Sequence, residues 1–320
     1  MDIRQLRYFV SIAEYGSLSA AADCLHVAQP SLSQHVRRVE EELGIQLLVR
    51  SPRGVTLTDS GRLFYEHAKT IVNQMEAAIA DVRSHSAQAI GPVSFGFTGS
   101  AANALAIPLV ETIRLEHPRI VLRAMEAMSG DVQKWLSEGA IDLGILYDIN
   151  EVRHLLVRPL LTERMYLICA SWDWEGPVGP DGFAQTEVSL ADCASMDVIL
   201  PSRSHGLREM IDRASSHLGF KFQSPVELDS LAQMKVLVER GSGRTILPHS
   251  AVSQEVQRGA LVMVPIVDPD IVRTVYLVKN PERPPTRASI EVEKTCIAIV
   301  GELVRKGLWH GELVTERDAA

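Results

Sequence analysis

Through the first sixty residues, apolar positions recur at intervals of three and four and then give way to a period of two. Leu6, Phe9, Val10 and Ala13 share one face of a helix predicted over Ile3–Glu14, with Arg7 and Tyr8 at the surface. A short helix follows over about Ser19–Leu25, kept slim by Ala20, Ala21 and Ala22. His26-Val27-Ala28-Gln29 reads as a turn, and Pro30 suits the first turn of the next helix, where its missing N–H is no loss. That helix ends at Leu43, before Gly44, and its buried face is Leu32, Val36, Val39 and Leu43. Leu47–Thr58 then reads as two short strands around a Pro/Gly turn that bears Arg50 and Arg53.

Thr58-Asp59-Ser60-Gly61 supplies capping residues for a long helical segment reaching about His85. Its apolar stripe is Phe64, Ala68, Ile71, Met75, Ala78 or Ile79, and Val82, and a stripe of that length needs a partner. Periodicity is lost from Ser84 to Pro92, the expected hinge. Strands at Val93–Phe97, Ile120–Met125 and Ile141–Leu146 alternate with helices at Ala101–Glu116 and Asp131–Ser137, which predicts a parallel sheet with helices on both faces. Further elements are expected at Arg164–Ala170, Val198–Leu200, Gly206–Leu218, Val226–Leu228, Leu231–Glu239, Thr245–Leu247, Leu261–Ile266, Val272–Val278 and about Ala288–Val304. Trp172–Thr186 reads as an irregular surface excursion and Glu312–Ala320 as a disordered tail.

The chemistry lies first on the outer face of the second helix of the helix-turn-helix. Gln29, Pro30, Ser31, Ser33, Gln34, Arg37 and Arg38 lie on or beside the side opposite the apolar stripe. Gln can bond an adenine edge bidentately, Ser several bases, and Arg a guanine or a phosphate, so this face suits the major groove of DNA. An ordinary solvated face is the competing reading of that helix alone. The strand pair after it reads as a wing whose Arg50 and Arg53 reach the backbone or a narrow minor groove. Charge does not advertise this: the net charge is −8, and residues 1–60 hold six arginines against seven carboxylates. The balance reduces non-specific DNA affinity without excluding DNA, because only groups within about 10 Å act strongly at ordinary salt.

IRQLRYFVSIAEYGSLSAAADCLHVAQPSLSQHVRRVEEELGIQLLVRSPRGVTLTDSG closely resembles the N-terminal domain of LysR-type transcriptional regulators, and GPVSFGFTG, EHPRIVLR, LSEGAIDLGIL and GSGRTILP extend the resemblance to about residue 305. LLVRSPRGVTLTDSG and the region around Ser100 look most like the nitrogen assimilation control subgroup. The resemblance implies an α/β multidomain chain. A winged helix-turn-helix (1–58) and a linker and dimerisation helix with hinge (59–90) precede a periplasmic-binding-protein-like effector domain (91–305) and a C-terminal tail (306–320). Within the effector domain, subdomain I is expected at 91–162 and 270–305 and subdomain II at 163–269, with crossings near Leu161–Arg164 and Val267–Ile271. The resemblance also implies promoter DNA, a small-molecule effector, a dimer through the linker helix assembling into a tetramer, and a possible contact with RNA polymerase as partners. Effector contacts carry over to Ser100, Ser129 and Ser202. Thr98 and Arg203 lie beside them, and free N–H donors at these helix starts suit a carboxylate. Ser and Thr also cap helices that bind nothing. The sequence departs from the family pattern at Ala28, where a hydroxyl cap is usual, at Leu48, where an aromatic is usual, and at Arg244, which reaches either the cleft or the surface.

An enzyme or a solute-binding module on the C-terminal domain is the alternative. No P-loop, G-x-S-x-G or H-E-x-x-H motif occurs, no metal or cofactor set is spaced for binding, and no catalytic residue is assigned. The four cysteines form no C-x-x-C pair and are expected to be buried free thiols, although redox sensing has a counterpart in the family. No signal peptide or apolar run of membrane-spanning length is present, so a cytoplasmic protein is expected.

Overall fold

The computed structural model describes residues 1–51, 54–83, 89–147, 149, 154–203, 205–224 and 226–314, with the side chains of 76, 77 and 80–83 outside that description. Arg53, the side chain of Val82, most of the expected hinge, Ser204 and the tail from residue 315 lie outside the described residues. Contacts divide the chain into two units: Met1–Gly91 with Glu138–Ala140 and Glu282–Arg287, and Pro92–Ser137 with Ile141–Pro281 and Ala288–Ala320.

In the first unit, α1 (Ile3–Tyr15) opens on a capping box: the Gln5 N–H donates to Asp2 at 2.9 Å and the Asp2 N–H to Gln5 at 2.7 Å. Gly16 ends it in the left-handed conformation. The alanines of α2 (Leu18–Cys24) let it pack between α1 and α3 (Gln29–Leu43), where Ala21, Ala22, Leu32, Val36 and Val39 are buried. β1 (Leu48–Ser51) and β2 (Gly54–Leu57) form the wing, in antiparallel register from Leu48↔Leu57 to Ser51↔Gly54. The wing is pinned from two sides. Glu40 of α3 accepts the N–H groups of Leu47 and Leu48 at 2.8 and 3.1 Å, and Val55 donates to the Gly16 carbonyl at 2.8 Å. Gly54 sits at φ 126°, and a Cβ there would meet the Gly16 oxygen at 2.6 Å, so only glycine fits. Thr58 caps α4 (Asp59–Arg83), accepting the Gly61 N–H at 2.9 Å.

In the second unit, β3 (Gly91–Phe97) leads into α5 (Gly99–Ala101), a π-helical segment Ala102–Ala106, and α6 (Ile107–Glu116). β4 (Ile120–Glu126), α7 (Ser129–Ser137), β5 (Leu143–Leu146) and β6 (Leu156–Ala170) follow. The chain continues through β7 (Val188–Ser189), α8 (Leu190–Ala194), α9 (Gly206–His217), α10 (Leu231–Glu239), β8 (Thr245–Pro248) and α11 (His249–Gln257). β9 (Leu261–Val267), β10 (Val272–Lys279), α12 (Arg287–Arg305) and β11 (Glu312–Leu313) complete it. Strand order is β4-β3-β5-β10-β6-β9-β7, with β8 and β11 also paired to β6. Two lobes have separate apolar cores, one around Val132, Leu136 and Ile141, the other around Leu167, Ile211 and Val264.

The lobes share β6. Its Leu156–Arg164 stretch pairs with β10, and Met165–Ala170 pairs with β8 and β9, so the strand changes partners without breaking. The first crossing thus lies inside a continuous 15-residue strand rather than between elements. The loop between β9 and β10 makes the second.

The structure corrects several sequence expectations. The sheet is mixed: β3 runs parallel to β5, but β10 is antiparallel to both β5 and β6. Val198–Leu200 and Val226–Leu228 contribute only isolated bridges, while β7, α8 and α11 were not anticipated. Leu43 is 40% exposed, because Gly44 ends α3 before its last turn reaches the core. Tyr8 is half-buried, edge-on to His35 at 5.1 Å. The segment after α12 is not a loose tail up to its last described residue: Trp309 is fully buried and β11 pairs with β6.

Candidate nucleic-acid interface and ligand cavity

The outer face of α3 is exposed at Gln29, Pro30, Ser31, Gln34, Arg37 and Arg38. Gln29, Gln34, Arg37 and Arg38 form no hydrogen bond or ion pair among the described residues. At 1.5 Å per residue, Gln29 to Arg38 spans about 13 Å, roughly four base-pair steps. Ser33 is half-buried and accepts a hydrogen bond from Arg50 Nη1 at 2.7 Å, which ties the wing arginine to the helix. Ala28 supplies no side-chain cap to α3, so its first N–H groups stay open. Four free side chains capable of bonding base edges or phosphates, on a helix locked to a wing, are equipped to read a groove.

In the second unit, the starts of α5, α7, α9 and α10 meet around a cavity of about 480 Å³. Thr98, Ser100 and Ser129 line it, together with Glu126, Tyr147, His205, Asp229 and Arg273, none of which was expected to bind there. Ser202 lies outside the lining and spends its N–H and hydroxyl on Asp229, at 2.8 and 3.0 Å. Arg203 is exposed and also outside the lining. Arg244 does not reach the cavity; it pairs with Asp173 at 2.9 Å.

Beneath the cavity is a buried polar hub. Glu163 of β6, 1% exposed, accepts from Arg273 of β10 (Nε 2.8 Å, Nη2 2.6 Å), from Ser250 of α11 at 2.8 Å and from the Trp309 indole at 2.8 Å. Arg273 Nη2 also donates to Ser100 Oγ at 2.7 Å, and its guanidinium lies 3.5 Å from the centre of the Tyr147 ring. Ser100 Oγ shares a 2.6 Å hydrogen bond with the Tyr147 hydroxyl, whose pKa burial pushes up. One charge pair thus joins both lobes, the cavity floor and the C-terminal segment. Its signal was present in the sequence: Glu163 has the parity of Leu161, Met165 and Leu167, and Arg273 that of Val275 and Leu277, all buried. Two opposite charges at buried parity on two strands call for each other, and the two residues are direct cross-strand partners.

Cys169, Cys193 and Cys296 are buried, and burial pushes their thiols up to about 11, about 12 and about 12. Cys24 departs from the buried-thiol expectation: it is exposed and accepts from the Tyr15 hydroxyl at 3.1 Å. Among the described residues, no group of three or more His, Cys, Asp or Glu is arranged to hold a metal ion, and no helix is long and apolar enough to cross a membrane.

Residues 3–62 match the family model described as "Bacterial regulatory helix-turn-helix protein, lysR family", and residues 86–292 the "LysR substrate binding domain". The nitrogen assimilation regulatory protein nac of Klebsiella aerogenes is 35% identical over 252 residues, covering 78% of this chain and 79% of that protein. The structure of a full-length OxyR variant from Pseudomonas aeruginosa superposes with a TM-score of 0.72 at 22% identity, covering 94% of both chains. Full-length CbnR complexed with its target DNA gives 0.69 at 20% identity, covering 94% of this chain and 99% of that one.

Proposed function

Because the chain belongs to the LysR family of bacterial transcriptional regulators, we propose that α3 reads its operator through Gln29, Pro30, Ser31, Ser33, Gln34, Arg37 and Arg38. The chain is a DNA-binding regulator with an effector-binding domain, and its relatives are regulators rather than enzymes. The observation behind the assignment is the outer face of α3, where the side chains of Gln29, Gln34, Arg37 and Arg38 have no partner among the described residues, beside a wing fastened to it. Arg50 and Arg53 serve the phosphate backbone or minor groove in this reading. In the cavity, Thr98, Ser100 and Ser129 contact the effector. Ser202 acts through Asp229, and Arg203 stands at the periphery.

Two copies pair through α4, whose Ile71 and Met75 are 45% and 44% exposed, and pairs associate into a tetramer. Pairing puts two recognition helices on one face of the duplex and calls for a two-fold-related site. The protein works in the bacterial cytoplasm, where promoter DNA and RNA polymerase are found. An effector shifts the assembly by binding one arrangement of the lobes better than the other.

The test is Gln34→Ala, measured by fluorescence anisotropy on an operator and on random duplex. Loss of a bidentate base contact worth ~1–3 kcal/mol weakens operator binding by about 5- to 150-fold and leaves random DNA unchanged. Equal weakening on both would remove Gln34 from the base-reading set.

A further inference from the structure

We propose that the cavity takes a small ligand bearing an ammonium group, held between the Glu126 and Asp229 carboxylates; this rests on the reading of the cavity as the effector site. Free N–H donors at the helix starts had suggested a carboxylate, but the side chains facing the same space point to a cation. The ionisable lining residues besides Tyr147 are Glu126, His205, Asp229 and Arg273. Arg273 adds no unbalanced positive charge, because its Nε and Nη2 are committed to the buried Glu163 carboxylate. Burial lowers the His205 pKa against the pull of Asp229, and its Nδ1 accepts the Leu207 N–H at 3.1 Å, so both favour the neutral ring.

Neither carboxylate is ion-paired with a lysine or arginine among the described residues, and Asp229 has only the His205 ring as a titratable neighbour of opposite sign. Glu126 makes no hydrogen bond or ion pair there. Asp229 accepts the N–H and hydroxyl of Ser202, and these donors, with a smaller contribution from His205, lower its pKa. Glu126 ends β4 in one lobe, while Asp229 precedes α10 in the other. Both carboxylates face the same space, so a cation bound there is attracted by a residue of each lobe.

A second observation points to a bound ligand. Thr98 lines the cavity at 4% exposure, and its buried Oγ1 lies beside the Tyr147 hydroxyl without a well-aligned hydrogen bond to it. A ligand group over the cavity floor supplies the aligned partner that this hydroxyl lacks. Gly99 keeps the approach open: a Cβ there would stand 3.4 Å from Glu126 Oε1 and 3.5 Å from Leu231 Cδ2, where a branched side chain would fill the space.

Ligand-observed NMR and calorimetry on the full-length protein provide the test, using matched pairs of four- to six-carbon compounds with and without an amine. The set includes 1,4-diaminobutane, 4-aminobutanoate, butanoate and succinate. Amines bind at least ~10-fold more tightly than their matched carboxylates or neutral isosteres, the scale of a charge-assisted hydrogen bond. Glu126→Gln and Asp229→Asn each remove that preference, and Gly99→Val removes binding. Glu126 is exposed, so Glu126→Gln folds with an unchanged melting temperature. Carboxylates that bind as well as amines and are lost in Gly99→Val would overturn the ammonium assignment while leaving the effector cavity standing. Absence of any binding sensitive to Gly99→Val would overturn the cavity reading and this proposal with it.

Discussion

Replacing Glu163 by alanine strands the Arg273 guanidinium, 8% exposed, with Ser100 and the Tyr147 ring as its remaining contacts. It also leaves the Trp309 indole N–H, in a fully buried residue, without its acceptor. Breaking one side of a buried ion pair costs ~3–5 kcal/mol. At ~2–4 °C per kcal/mol for a domain of roughly 150–250 residues, the transition of the second unit falls by about 6–20 °C. Differential scanning calorimetry of the full-length protein measures it, with the DNA-binding unit as an internal reference. Glu163→Gln keeps an oxygen for Arg273 but turns an NH2 group that cannot accept towards Ser250 and the Trp309 N–H, so its loss is intermediate. Glu163→Leu combined with Arg273→Met removes both charges and loses less than Glu163→Ala. A loss below ~1 kcal/mol, the range of an exposed surface pair, would refute the hub as described.

Gly61→Ala sets helix propensity against packing: alanine favours α4 by ~1 kcal/mol, but its Cβ would press on the Leu47 carbonyl, so urea denaturation shows a net loss of ~1–3 kcal/mol. In the native protein, Ellman's reagent titrates one fast thiol, Cys24, and all four cysteines after denaturation; a second fast thiol would contradict the packing around Cys169, Cys193 and Cys296. Burial and the neighbouring His310 hold His249 down to about 4, against 6.5 for the free side chain. The unfolded chain therefore takes up this proton first as pH falls, and stability present above pH ~6.5 is lost towards pH ~4, by roughly 3 kcal/mol for this ring. Urea midpoints from pH 7.5 to 4.5 show that slope and His249→Phe flattens it; an unchanged slope in the variant would place the titration elsewhere.

The first unit was legible because each signal there is local. The α3 stripe, Gly44, the Thr58 cap and the pairing of Ser51 with Gly54 all act within a few residues. What stayed hidden depends on distant partners. Only Arg164–Ala170 was expected as an element, with a crossing near Leu161–Arg164, yet Leu156–Ala170 is one strand that carries both Glu163 and Arg164. Glu163 belongs there only because β10 brings Arg273 opposite it, a pairing 110 residues away in the chain. Trp309 sits in a short segment with no periodicity of its own, and its buried indole N–H finds its acceptor in that same carboxylate. The cavity divides the same way: Thr98, Ser100 and Ser129 were found from their places at helix starts. Glu126, Asp229 and His205 face one space only after two lobes have formed.

The most direct test is footprinting of the purified protein on a random duplex pool after several rounds of selection, at moderate salt with competitor DNA. The account predicts enrichment of a two-fold-related sequence protected over successive helical turns, with Gln34→Ala relaxing the preference within each half-site. A protein that protects no sequence over the random background would contradict the assignment of α3 as a base-reading helix.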